Sequence, residues 1–282
     1  MDEIVGILHP GEMGAAIGSV LRQRGTDVLW ASNGRSDETK ARAERAGLRD
    51  AGGVRELAGV SDVILSVCPP HAAGDVARAV AAAGFRGLYV DGNAVAPATA
   101  RALGTLIEKA GATFVDGGIV GPPPDKPGTT RLYLSGPAAA RVAELFTTGP
   151  LEAIVLPGEL TSASAVKMAY AAWNKGQQAL IMAVRALATA EGVDETLVAE
   201  WQRSQPDLPK RSENAARGSA RKAWRWVGEM DEIAAAFAAA GLPDGFHRAA
   251  GEVYRRLSPY KDAAAPPTIE DVAKTLRKEP RP

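Results

Sequence analysis

The chain reads as α/β in its first half and all-α in its second, with the change of character at Gly158. Three observations carry this. Over residues 1–157, short apolar runs alternate with segments of helical period, which is the signature of βαβ units and a mostly parallel sheet. Most of those runs are apolar throughout rather than alternating, as strands covered on both faces require. From Leu160 to Ala190 there is no proline and one glycine, Gly176, in a segment rich in Ala, Leu, Met, Val, Lys and Gln. That composition predicts one helix of roughly 30 residues, longer than a typical globular helix.

The elements follow in order. Ile4–Leu8 is the first strand, and His9-Pro10-Gly11-Glu12-Met13-Gly14 turns it into an Ala-rich helix near 12–24. Val28–Ala31 is the second strand, ending in the loop Ser32-Asn33-Gly34-Arg35-Ser36. Helices near 36–47, 72–83 and 97–110 are interleaved with strands at Val63–Val67, Leu88–Val90, Thr113–Val115, Leu132–Leu134 and Ala153–Leu156. Strand ends carry loop punctuation: Pro69-Pro70, Asp91-Gly92-Asn93, and a turn at Asp116-Gly117-Gly118 running to Pro122-Pro123-Pro124. After the long helix, helical segments are expected near 194–204, 208–240, 243–257 and 268–278. The expected organisation is an α/β domain with a mostly parallel sheet over 1–157 and an all-α domain over 158–282 built on a long interdomain helix. A long Ala-rich helix in a small helical domain calls for a partner surface, so a homodimer is expected.

Composition narrows the class. With 33 basic and 33 acidic residues in 282, net charge is zero, which disfavours nucleic acid as a partner. Cys68 is the only cysteine, so no intrachain disulfide can form and a reducing compartment is expected. The chain opens directly on a strand pattern without a basic leader, and no apolar stretch approaches about 18 residues. The expectation is a cytoplasmic protein with no membrane segment. Three scattered histidines and one cysteine make no metal-ligand set, and neither G-x-S-x-G nor a Walker sequence occurs.

The first βα turn carries the cofactor reading. A helix N-terminus that opens on small residues is a ready anion site. The dinucleotide fingerprint G-x-G-x-x-G is matched at Gly11 and Gly14 but has His9 at its first glycine. A tight turn with no ligand is the plain alternative. The second strand ends without the carboxylate that an NAD site places on the ribose. Asn33, Arg35 and Ser36 stand there instead, and an arginine can pair bidentately with a 2′-phosphate. NADP is therefore the expected cofactor, with Pro10, Gly11, Glu12, Met13, Gly14, Asn33, Arg35 and Ser36 as binding residues. The competing reading makes Arg35 a solvated loop residue and Ser36 a helix cap; capping and binding can coexist in Ser36.

With these motifs the chain resembles the β-hydroxyacid dehydrogenase superfamily, which includes 6-phosphogluconate dehydrogenase, 3-hydroxyisobutyrate dehydrogenase and the imine reductases. It is most similar to a phosphogluconate-dehydrogenase-like group with a C-terminal domain of unassigned function. The likeness spans nearly the whole chain and rests on the G-x-x-G turn with Met13, the Asn33–Ser36 loop, and Ser66-Val67-Cys68-Pro69-Pro70. It rests too on Asp91-Gly92-Asn93 followed by Pro97, Asp116 with Gly117-Gly118, and a lysine on the long helix. The resemblance implies an N-terminal Rossmann domain over 1–157, a helical C-terminal domain and a cleft shared in a dimer, with Val67, Cys68, Pro69 and Asn93 lining the nicotinamide side. It also implies that Lys167 matches the family's catalytic lysine.

By spacing alone Lys167 reads as readily as a solvated helix residue. As general acid or base it would work best with a pKa drawn down by partial burial. Tyr170, Ala171 and Asn174 share its helical face. Two departures from the family bear on substrate. Tyr170 and Ala171 stand where an asparagine helps hold substrate, and Val120 replaces the serine that holds a carboxylate. Both point away from a simple 3-hydroxy acid. Tyr170, Trp173, Trp224, Trp226 and Tyr254 in the helical half suit a hydrophobic or aromatic small molecule, although core or interface roles fit each singly. The substrate-side set is thus Val120, Tyr170, Trp173, Asn174, Trp226 and His247, with Glu229 as a further polar candidate. The expected function is an NADPH-dependent reductase or dehydrogenase acting on a carbonyl or alcohol carbon. The alternatives are an imine or enamine reductase and a non-catalytic NADPH-binding protein.

Overall fold

A computed structural model describes residues 3–277. Contacts divide the chain into two compact units, 1–168 and 169–282. The division lies further along the chain than Gly158, inside the long helix.

The first unit begins with β1 (Ile4–Leu8), α1 (Glu12–Gln23), β2 (Asp27–Trp30), α2 (Asp37–Arg45), β3 (Arg49–Asp50), α3 (Val54–Val60) and β4 (Val63–Ser66). It continues with α4 (Pro70–Ala82), β5 (Leu88–Asp91), α5 (Pro97–Lys109), β6 (Thr113–Val120), β7 (Thr130–Ser135), α6 (Ala139–Glu144) and β8 (Leu151–Val155). The eight strands form one sheet in the order β3-β2-β1-β4-β5-β6-β7-β8. Pairing is parallel except between β6 and β7. Strand residues alternate between two buried clusters. Val5, Ile7, Val63, Leu65 and Val90 pack with α1 and α6 on one face, and Leu8, Ile64, Tyr89 and Phe114 pack with α3, α4 and α5 on the other. The continuous apolar runs are explained by this double cover. Pro70 and Pro97 sit at the first positions of α4 and α5, where a missing N–H costs nothing.

The structure departs from the sequence pattern in the short elements. β3, α3 and α6, of 2, 7 and 6 residues, are too brief to set up a period of their own. The turn expected at Gly117-Gly118 is strand: β6 runs unbroken through both glycines to Val120.

α7 (Ser162–Ala190) is a single helix of 29 residues. The second unit takes its later turns together with α8 (Asp194–Ser204), α9 (Leu208–Ser219), α10 (Ala223–Ala239), α11 (Gly245–Leu257) and α12 (Ile269–Arg277). The helix expected over 208–240 is broken by a 3-10 turn at Ala220–Lys222. Arg185, almost fully buried, joins three helices: it pairs with Asp194 at 2.6 Å and donates to Ser212 Oγ at 2.8 Å. Tyr254 Oη donates to the Lys175 carbonyl at 2.7 Å, tying α11 to α7. Among the described residues no helix is long and apolar enough to cross a membrane.

Candidate active site

The order of the parallel strands reverses direction between β1 and β4, and ligands of such sheets bind outside the carboxyl ends of the strands at that switch point. Two loops meet there, 9–11 after β1 and 67–69 after β4.

His9 occupies the first-glycine position of the fingerprint with φ of 67°, the one non-glycine at positive φ among the described residues. The chain has replaced the glycine but kept a left-handed backbone, a conformation that costs a non-glycine residue about 1 kcal/mol or more. Gly11 is the N-cap of α1 and supplies no side-chain cap, so the first N–H groups of α1 point outward without one. A Cβ built at Gly11 meets nothing within 4 Å, leaving room for a ligand against the backbone. At Gly14 a Cβ would stand 2.6 Å from the His9 carbonyl oxygen, so only glycine lets α1 pack this closely on the turn. Glu12 is exposed in the first turn, and Met13 packs against the sheet's core. Pro10 is buried.

Past β2, the Arg35 Nε is buried and has no hydrogen-bond partner. Its positive charge, after burial, helps draw the His9 imidazole down from 6.5 to about 4, so His9 is neutral near pH 7. Ser36 caps α2, accepting from Thr39 N at 3.3 Å. Asn33 is exposed, and its N–H is held by the Gly52 carbonyl at 3.0 Å. A second guanidinium reaches the turn that sequence reasoning missed. Arg42 of α2 places Nη1 3.5 Å from the Pro10 carbonyl while pairing with Glu38 at 2.5 Å. These residues fit a dinucleotide: an open helix N-terminus for the pyrophosphate and an unpartnered arginine nitrogen beside the second strand.

At the other loop, Asn93 organises the backbone. Its Oδ1 accepts from Cys68 N at 2.6 Å, and its Nδ2 donates to Ser66 Oγ at 3.2 Å and to the Asp91 carboxylate. Val67 N donates to the Leu8 carbonyl at 3.2 Å, which keeps this loop beside the end of β1. Pro69 is the N-cap residue of α4. Burial pushes the Cys68 thiol up to about 12, so it stays protonated and is no nucleophile.

Lys167 lies in the second turn of α7, half-buried, and its Nζ donates to the Ile119 carbonyl of β6 at 2.6 Å. Gly118 permits this approach: a Cβ there would stand 2.5 Å from the Ala163 carbonyl oxygen and 3.1 Å from Lys167 Cβ. Val120, paired with Arg131 of β7, is 3% exposed.

The remaining substrate-side candidates belong to the second unit. Tyr170 and Trp173 are 46% and 68% exposed, and Asn174 Nδ2 donates to the Tyr170 carbonyl at 3.1 Å. A cavity of about 720 Å³ is lined by Trp173, Leu180, Trp201, Phe237, Phe246 and His247. His247 is 6% exposed, with ring centroids 4.2 Å from Phe237 and 5.2 Å from Phe246, and burial lowers its pKa. Trp226 is engaged inside the unit, edge-on to Tyr254 at 5.2 Å with Lys175 Nζ 5.4 Å from its ring centroid. Glu229 is ion-paired with Lys175 at 2.5 Å.

Comparison with known proteins bears on both halves. Residues 188–257 match a domain of unknown function, DUF1932. An uncharacterised 28.5 kDa protein of Methanothermus fervidus is 28% identical over 195 residues, covering 68% of this chain and 74% of that one. A conserved protein of unknown function, described as structurally similar to 3-hydroxyacid dehydrogenases, superposes with a TM-score of 0.67 at 27% identity, over 92% of this chain and 100% of the other. The 3-hydroxyisobutyrate dehydrogenase of Mycobacterium tuberculosis superposes with a TM-score of 0.71 at 18% identity, over 99% and 100% of the chains. A reductive aminase of Aspergillus terreus, solved with NADPH, gives a TM-score of 0.57 at 16% identity, over 98% and 100%. The fold is that of the hydroxyacid dehydrogenases, with imine reductases and reductive aminases among its structural neighbours.

Proposed function

We propose that the protein is an NADP-dependent oxidoreductase that moves hydride between the nicotinamide and a carbonyl or alcohol carbon of a small hydrophobic or aromatic substrate. The observation that carries this reading is the pair formed by the open N-terminus of α1 at Gly11 and the buried, unpartnered Arg35 Nε. The N–H groups of α1 would hold the pyrophosphate, and Arg35 would pair with the 2′-phosphate. The fold supports the same class, since its neighbours include NADPH-bound enzymes.

When bound, the nicotinamide supplies the hydride. The chain supplies position and the proton. Asn93 fixes the Cys68 N–H in the loop of Val67, Cys68 and Pro69, which would shape the nicotinamide side. Lys167 then serves as general acid to the oxygen that gains charge, or as base in the oxidative direction. Tyr170 and Trp173, at 46% and 68% exposure, are aromatic surfaces of the second unit that suit a hydrophobic or aromatic substrate. Val120 offers no donor for a substrate carboxylate, which favours an uncharged partner.

The test is a panel of ketones and cyclic imines assayed with NADPH on wild type and Lys167→Ala. Ketone reduction with kcat reduced roughly a hundredfold in the variant, and NADPH affinity little changed, is expected. An undiminished rate would remove the lysine from the mechanism. Turnover of the imines alone, unaffected by the substitution, would favour C=N reduction.

A further inference from the structure

Asp116 lies on β6 and is wholly buried, yet its carboxylate has no substrate-facing task, because both oxygens are already engaged. Oδ1 accepts from Ser164 Oγ at 2.5 Å. Oδ2 accepts from Ser164 N at 2.8 Å and lies 3.1 Å from Ser135 Oγ. Ser135 Oγ in turn accepts from Ala163 N at 3.0 Å and sits 2.9 Å from the Leu160 carbonyl, so its single proton is shared between two acceptors. Ala163 and Ser164 are the second and third residues of α7, and their N–H groups are among those a helix start leaves without partners. A strand carboxylate and a strand hydroxyl thus cap the long helix from outside.

We propose that Asp116 is a positioning residue that, through Ser164, sets the register of α7 on β6 and so the station of Lys167. The geometry is a two-point attachment. Asp116 and Ile119 are three apart on β6; Ser164 and Lys167 are three apart on α7, one above the other on the same helix face. Asp116 is joined to Ser164 through the carboxylate, and Ile119 to Lys167 through the lysine ammonium on its carbonyl at 2.6 Å. Gly118, in contact range of Ala163 and Lys167 Cβ, removes the side chain that would hold the elements apart. If the first attachment is cut, the helix start can slide or rotate, and the ammonium leaves its carbonyl. Burial raises the Asp116 pKa while the Ser164 and Ser135 hydrogen bonds oppose it, so the group is costly to keep there. A helix N-cap alone is met by an ordinary exposed serine, as at Ser36 on α2.

This inference rests on Lys167 being the proton donor, but its test does not depend on activity. Lysines are reductively methylated with ¹³C, and the Lys167 signal is assigned by its loss in Lys167→Arg. The expected result is that Asp116→Ala moves the Lys167 resonance to the position of exposed lysines, and that Ser164→Ala, which loses the hydroxyl bond but keeps Ser164 N on the carboxylate, moves it part of the way. Asp116→Asn, which keeps one acceptor oxygen for Ser164 N, should likewise lie between Asp116→Ala and wild type. The Lys175 resonance, held by Glu229, should stay in place as the internal reference. A Lys167 signal unmoved in folded Ser164→Ala would overturn the proposal. That variant loses one hydroxyl and keeps the backbone bond, so it decides the matter even if Asp116→Ala does not fold. If Lys167→Ala kept full activity, the proposed reaction would fall while this positional result stood.

Discussion

His9 joins local strain to electrostatics. Its left-handed backbone substitutes for a glycine, and its Nδ1 is buried with no hydrogen-bond partner. Burial first, and Arg35 second, hold its folded-state pKa at about 4, below the unfolded 6.5. Between those values the unfolded chain binds more protons, so His9 contributes stability that is present above pH 6.5 and is lost as pH falls through about 4. His247 shifts in the same direction and adds to the trend. Asparagine tolerates the left-handed region and does not titrate. His9→Asn should therefore lose less of its melting temperature than wild type between pH 7 and pH 5. Equal losses would remove His9 from the acid sensitivity. Of the residues here, Gly11, Gly14 and Arg35 were legible from the sequence because a βα turn is a local pattern. Arg42 was not, because its approach to Pro10 is set by how α2 packs rather than by its neighbours in sequence.

The elements with long periods were legible and the short ones were not. α7 was readable because 29 residues without proline repeat the same helical preference. The break at Ala220–Lys222 had no comparable signal, since alanine, arginine and lysine all favour helix, and a local preference cannot register a bend imposed by packing. Gly117 and Gly118 misled for a related reason. Glycine reads as a turn residue, whereas here it clears space for α7 against β6. Gly118→Ala places a methyl 2.5 Å from the Ala163 carbonyl oxygen. Neither backbone can yield cheaply, so a loss of about 2 kcal/mol or more in urea unfolding is expected. A stability within a few tenths of wild type would mean that α7 can shift without cost. The tie between Asp116 and Ser164 was likewise invisible in sequence, because 48 residues separate its partners.

At the scale of the whole molecule, one sheet with a switch point between β1 and β4 sets the end proposed to bind the cofactor, and one helix carries the proposed proton donor. The first of these is encoded in runs of strand and helix that the sequence displays openly. The second depends on a long helix whose lysine is unremarkable until β6 is placed beside it. Whether this architecture binds NADP through Arg35 is read from paired titrations of NADPH and NADH against wild type and Arg35→Ala. NADPH is expected to bind more tightly than NADH. A loss of roughly tenfold to a hundredfold is expected for NADPH alone in the variant, the size of one charge-assisted contact. Equal affinity for the two cofactors in wild type, or equal losses in the variant, would contradict NADP binding through Arg35.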